Sequence, residues 1–406
     1  MTAFSSIYTS LTGLFSFTRA LNTVSDNVAN LNTPGFKSND VLFRDLGLSD
    51  TSVGDGVISR EPIASGNGVE LRGTVRRFAQ GDFQGTSSAT DLAIDGNGFF
   101  VVRQDQTQRY TRAGQFTFNT DGYLVDAATG ARTQALANGN QLSDFRVLPT
   151  QTRPPVPTSL VTFTSNLSST PPNTPNPTPF SVGNIQVVDA AGNTRTLTAN
   201  FTNNSAVTPG SWLVTIDEQN VQIASGEIRF QGTGSPAVGF NTIDVSLPAG
   251  ANQSTITLNF DGATSFSTGS TSTLQVGTAN GTQLGVLTQV TIDRQGIAQL
   301  VFSNGDTVAG QRLALASFAD PQSLAEVGAS SFEVISDAAI DQPQFGFATE
   351  GGLGQLRSSN IELANVNLSQ EFSNIIVLQR AFQGSSQVLN VSSQLLEQLY
   401  NNLAAR

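Results

Sequence analysis

The chain has 406 residues, a formal charge of −11, and neither histidine nor cysteine. Without histidine there can be no Ser-His-Asp triad or histidine metal centre; without cysteine there are no disulfides or thiol chemistry; and the lack of any Lys/Arg cluster argues against nucleic acid. Charged residues make up only 13% of the chain, against about 25% in ordinary domains, so a chain long enough for several domains carries a neutral polar surface, which suits packing against copies of itself and equally suits a plain secreted β protein.

The first residues lack a basic region followed by an unbroken apolar core, so no cleaved secretory signal is expected. No apolar run reaches the roughly 20 residues of a membrane span, so no membrane insertion is expected either. Instead Ile7, Leu14, Leu21 and Val28 recur at every seventh position, with Phe4 and Leu11 on a second line. This spacing predicts a helix over 4–31, roughly 42 Å long at 1.5 Å per residue. Arg19 and Asp26 are its only charges, so it is neutral nearly all round, as a helix buried on several sides of an assembly would be. The helix stops at "ANLNTPGF". Pro34 pushes Thr33 out of the helical region and Gly35 supplies a turn, Asn30 and Asn32 can cap or bend the exit, and Phe36 packs to set its angle.

The middle of the chain reads as β. "LAIDGNGFFVV" (92–102) is expected to be two strands around an Asp-Gly-Asn-Gly turn, and "YTRAGQFTFNTDGYLV" repeats the pattern around Asn119–Gly122. Nine of the sixteen prolines fall in 149–179, which reads as an extended connection. Beyond it, Trp212, Val214 and Ile216 alternate with polar residues, as do Ile256, Leu258 and Phe260, predicting a β sandwich or barrel. Residues 286–318 return to the earlier style, with turns at 293–296 and 303–306.

A second helix is expected over about 369–402, with Ser369 as N-cap. Ile375, Phe382, Leu389 and Leu396 are seven apart, and Phe372 and Tyr400 lie on the adjacent line. "ANLN" at 29–32 and "ANVN" at 364–367 echo each other, one leaving a helix and one entering it, with Asn365 and Asn367 in the second. The two ends therefore look built to lie together.

The expected fold is mainly β with paired N- and C-terminal α-helices in a coiled coil and nested, discontinuous domains. The terminal segments 1–69 and 361–406 form an inner domain, 70–145 with 285–360 a β core, and 146–284 an inserted outer β domain. Residue chemistry points to no enzyme, metal or cofactor. Asp91 and Asp95 could be a hydrolytic carboxylate pair but read better as turn and strand-edge residues, and the Asp95–Gly98 turn lacks the spaced oxygen ligands of a calcium loop. Arg72, Arg76 and Arg77 read as solvated surface residues.

"SDNVANLNTPGFK" (25–37), "DLAIDGNGFFVV", "YTRAGQFTFNTDGYLV" and "ELANVNLSQEFSNIIVLQRAFQGSSQVL" together resemble the flagellar rod and hook axial proteins of bacteria. The resemblance covers about 1–145 and 285–406. The large insert, with "AGQRLALASFADPQSL", is more similar to the hook members than to the shorter rod members. That resemblance implies a homopolymer: a curved flexible tube acting as a universal joint, with the terminal helices innermost and the β domains outside. It implies distal rod, hook cap and hook–filament junction proteins as neighbours, and uncleaved export through the flagellar export apparatus to an extracellular position. Hinges are expected at 33–38, near 146 and 284, and before Asn365. A distal rod protein and a secreted glycan-binding β protein are the alternatives.

Overall fold

The computed structural model describes residues 2–46, 68–137, 141–169, 179–247, 254–269, 271–334 and 342–404, with side chains from Ser6 to Asn402. The chain divides into two compact units: Met1–Pro149 with Val290–Gln299 and Ala309–Arg406, and Thr150–Gln289 with Leu300–Val308.

The first unit holds both helices, α1 (Thr2–Ala29) and α2 (Leu368–Ala404). α1 ends where expected. Phe36 N donates to Thr33 O at 3.2 Å and Gly35 adopts φ +69°, an arrangement with proline second and a left-handed glycine third. A Cβ on Gly35 would lie 2.3 Å from Ala113 N, so both the conformation and the space demand glycine. α2 begins one residue earlier than expected, and its cap is Asn367 rather than Ser369. Asn367 Oδ1 accepts from Gln370 N at 3.2 Å and its carbonyl from Glu371 N at 3.0 Å, whereas Ser369 already sits inside the first turn. Asn367 stands just before the helix, where its side-chain oxygen can satisfy a free N–H of the first turn.

After the turn comes a two-stranded ribbon where the sequence predicts only a connecting segment. Strand β1 (Asn39–Asp45) pairs antiparallel with β2 (Val69–Arg76). It lies on α1, with Ser16 Oγ donating to Val69 O at 3.0 Å and Phe17 edge-on to Phe43 at 5.8 Å. The β body of this unit is a ten-stranded sheet with two small accessory pairs. Its core sets Phe78, Phe99 and Phe332 edge to face at 5.6–6.0 Å, the geometry that ring quadrupoles favour.

"LAIDGNGFFVV" is not a hairpin. Leu92–Asp95 pairs with Gln355–Ser358, while Phe99–Gln104 enters the large sheet beside Thr107–Thr111. Gly96 and Gly98 have φ of +116° and +121°, open conformations that carry the chain from one sheet to another instead of folding it back. The second predicted hairpin forms, Phe116–Phe118 against Leu124–Asp126.

The second unit is a sandwich. Four strands from Phe180 to Arg229 form one antiparallel sheet, and Thr242–Ser246, Thr255–Thr264, Leu160–Asn166 and Gln275–Ala279 form the other. Trp212, Val214, Ile216, Ile256, Leu258 and Phe260 all enter its core, where Phe163 stacks on Phe260 at 4.6 Å. Leu160–Asn166 lies inside the stretch read as a connection. Its prolines flank the strand and leave Val161 and Phe163 free to alternate into the core.

Both described helices belong to the first unit, and Trp212, the only tryptophan, to the second, so helical circular dichroism and tryptophan fluorescence report the units separately. Gly35→Ala is expected to cost the first unit about 2–4 kcal/mol. Gly130→Ala, also at positive φ (+71°) but in open space, is expected to cost about 1 kcal/mol. In urea titrations the helical transition moves accordingly and the Trp212 transition stays in place.

Candidate assembly site

The two helices lie antiparallel, because Asn27 meets Glu371 near one end of α1 while Gly13 meets Ser385 nearer the other. On α1 the buried positions are Ser10, Gly13, Ser16, Ala20, Val24 and Asn27, three or four apart; on α2 they are Glu371, Leu378 and Ser392. The contact line is made largely of small residues. A Cβ on Gly13 would stand 2.9 Å from Ser385 Oγ, so the close approach needs the missing side chain.

The predicted apolar lines border this seam. Ile7, Leu14, Leu21 and Val28 are half-buried beside it on α1, as are Ile375, Leu389 and Leu396 on α2. Ile375 and Leu21 pack on the small cluster of Ala20, Val24 and Leu378. Leu11, Phe382 and Phe372 are exposed, the last by 51%. Phe4 falls outside the described side chains. Apolar periodicity selects bulky residues and so registers the flanks; glycine, serine and alanine at the centre carry no such signal.

Where the helices meet the β body, the turn residues form a hydrogen-bonded knot. Asn30 Nδ2 donates to Asp26 O at 3.0 Å and Thr33 Oγ1 to Asn30 Oδ1 at 3.1 Å, while Asn32 is exposed. Pro34 is half-buried and Phe36 fully buried. Asn365 joins the two ends of the chain: its Oδ1 accepts from Ser38 N at 2.8 Å, and its Nδ2 donates to Arg77 O and Ala79 O. Asn27 joins them again, donating to Glu371 Oε1 at 3.1 Å and to Asn39 O at 2.9 Å.

At the centre sits Glu362, fully buried. Its Oε1 accepts from Lys37 Nζ at 2.6 Å and Gly81 N at 2.9 Å, and its Oε2 from Arg112 Nη1 at 3.2 Å. Lys37 also donates to Ala79 O, and Arg112 to Gly96 O. Burial pulls the Lys37 ammonium below its ordinary value against the opposing pull of Glu362, and lowers Arg112 in the same way. Residues 35–38 are all buried here, so the stretch marked as a hinge is clamped. The reading of the residues gave none of these three charges a role, although Lys37, Arg112 and Glu362 each stand inside one of the quoted motifs. Each of those motifs holds only two or three charges, and that scarcity is the available signal.

Asp95 lies elsewhere. Arg357 and Gln355 donate to it, holding its carboxyl below the usual carboxylate range, the opposite of what a general acid needs. Among the described residues no helix is long and apolar enough to cross a membrane.

Three family models match the chain: "Flagella basal body rod protein" over 7–37, "Flagellar hook protein FlgE/F/G D1 domain" over 93–155, and "Flagellar basal body rod FlgEFG protein C-terminal" over 357–403. The first contains Lys37, the second Arg112 and the third Glu362. In these three stretches the chain is similar to the flagellar hook and basal-body rod proteins. Among similar proteins, the flagellar hook protein FlgE of Borreliella burgdorferi is 28% identical, covering 97% of this chain and 98% of that one. Its counterpart in Rhizobium meliloti is 29% identical over 99% of both chains, and that of Escherichia coli 27% identical over 96% of this chain and 98% of that one. The flagellar hook protein FlgE2 of Helicobacter pylori is a structural neighbour with a TM-score of 0.45 and 15% identity, covering 68% of this chain and 99% of that one.

Glu362→Gln leaves two cations buried and is expected to cost about 3–5 kcal/mol, whereas Lys37→Met leaves a neutral Glu362–Arg112 pair and is expected to cost about 1–2 kcal/mol or less. The ordering, read by helical circular dichroism in urea, is the test. A lysine lowered on folding releases its proton before the unfolded chain does. Its contribution therefore grows as pH rises toward the ordinary value of 10.5 and is absent below the folded pKa. Wild type is expected to gain stability relative to Lys37→Met between neutral pH and that value.

Proposed function

We infer that this chain is a structural subunit of the bacterial flagellar hook, polymerising with copies of itself into the curved tube that passes torque from the basal-body rod to the filament. The observation that carries this reading beyond the family match is what the helix pair leaves uncovered. Tyr8 and Phe15 on α1 and Val388, Val391, Leu395 and Leu399 on α2 are each at least half exposed. Outward apolar residues in such number on helices nearly devoid of charge suit burial against other subunits. The hook is favoured over the distal rod because hook relatives align over 96–99% of this chain, a span that includes the sandwich. A secreted glycan-binding protein gives the helix faces no role.

In this account residues 1–69 and 361–406 form the inner layer, 70–145 with 285–360 the β core, and 146–284 the outer domain. Bending demands different spacings on the inner and outer curve, so rigid domains tilt on hinges near 146 and 284. Charge-poor contacts slide without breaking strong ion pairs. The chain leaves the cell unfolded and uncleaved through the flagellar export apparatus. It meets the distal rod protein at one end of the tube, and the cap and then the hook–filament junction protein at the other. Basal bodies isolated from cells lacking the gene are expected to show complete rods and rings with no curved tube beyond them in electron micrographs, and the gene on a plasmid restores the tube. A rod that stops short moves the chain to the rod, and an intact hook refutes the reading.

A further inference from the structure

The Asp95–Gly98 turn belongs to neither the helix seam nor the buried ion cluster, and it holds an Asn-Gly pair. An asparagine followed by glycine is open to attack from within the chain: the glycine nitrogen, with no side chain beside it, can reach the asparagine Cγ and expel ammonia. The sequence has five such pairs, beginning at Asn67, Asn97, Asn138, Asn280 and Asn304. Asn67 and Asn138 lie outside the described residues, which leaves three environments to compare.

Two of them are tied down. Asn280 Oδ1 accepts from Ser159 N and Leu160 N, both at 3.0 Å, and its Nδ2 donates to Ser159 Oγ at 2.8 Å. Asn304 Nδ2 donates to Gln283 O at 3.1 Å and to Asp306 Oδ2 at 3.2 Å, while its Oδ1 accepts from Asp306 N at 3.1 Å. The nitrogen that would attack Asn304 is also engaged, since Gly305 N donates to Phe302 O at 3.0 Å. Turning either amide toward its glycine breaks all of its bonds first, which slows the attack by roughly tenfold or more. Asn97 has no such restraint. Its side chain is exposed and forms no hydrogen bond among the described residues, and Gly98 N donates to none of them.

We propose that Asn97 is a self-modification site of the folded chain, left reactive by a fold that protects Asn280 and Asn304. Gly98 N bonds to Asn97 Cγ, the Cγ–Nδ2 bond breaks, and Nδ2 leaves as ammonia with the proton that Gly98 N gives up. Water, the only co-reactant, then opens the cyclic imide. Opening at Cγ gives aspartate. Opening at the main-chain carbonyl gives isoaspartate, in which the chain runs through Cβ and Cγ and the former carbonyl stands as a free carboxylate, the group that isoaspartyl methyltransferases esterify. Either product adds a negative charge two residues from Asp95. The isoaspartate also takes out of the main chain the carbonyl that Gly354 N bonds at 2.8 Å, at the crossing between two sheets. The modification follows from the turn itself and does not depend on the hook-subunit reading.

The test ages the full-length protein at mildly alkaline pH, once folded and once in urea. Cleavage at arginine places the Asn-Gly pairs in separate peptides, where deamidation reads as a gain of about 1 Da and isoaspartate as methyl label from an isoaspartyl methyltransferase. In the folded protein the Asn97 peptide is expected to gain mass roughly tenfold or more faster than those of Asn280 and Asn304 and to accept label; in urea the three rates converge. Asn97→Gln, an exposed substitution whose longer side chain closes that ring poorly, is expected to remove both signals from its peptide. An Asn97 rate no higher than the other two in the folded protein overturns the proposal. So does a difference that persists unchanged in urea, because local sequence and not the fold then sets the rates. Mass gain without methyl label overturns the imide route, and mass gain that survives Asn97→Gln places the reaction at another residue.

Discussion

Glu362 is fully buried, and an ionised carboxylate taken out of water is stable only where cations and N–H groups replace its lost hydration. Those groups come from three separate parts of the chain. Lys37 follows the turn that ends α1, Arg112 stands in the β body, and Gly81 N belongs to the strand-to-strand connection between them. Glu362 itself lies six residues before α2. Three residues on, Asn365 repeats the device with neutral groups, holding Ser38, Arg77 and Ala79. The pair of helices thus leaves the β body from a fixed base.

The helix seam follows a different logic. Its central residues are small, and its stability comes from close approach, the bare Gly13 backbone against the Ser385 side chain, rather than from a large buried area. The bulky residues therefore remain at the edges and outward faces, available to other copies. A helix pair that buried its large side chains internally would be a better-packed monomer and a poorer building block.

Much of this was legible in residues. The two helices, the turn at Pro34 and Gly35, and the alternation of Trp212, Val214 and Ile216 follow from local rules of periodicity and backbone conformation, and the structure has them. The parts that were missed depend on distant partners. Leu92–Asp95 looked like half of a hairpin because the glycines after it resemble a turn, yet its partner lies at Gln355–Ser358. β1 needs β2, across an interval whose composition gives no strand signal. Leu160–Asn166 was masked by its flanking prolines, though it lies between two other strands in its sheet. The buried triad was invisible for the same reason: a single lysine, arginine and glutamate far apart in the chain carry no pattern until the fold brings them to one point.

A side-chain-resolved electron cryomicroscopy map of the assembled tube tests the central claim most directly. The account predicts that in every subunit Glu362 lies between Lys37 and Arg112, with α1 and α2 of that same chain antiparallel and Gly13 against Ser385. A map in which Lys37 and Glu362 stand apart, or in which α1 pairs along this seam with another subunit's α2, would contradict it.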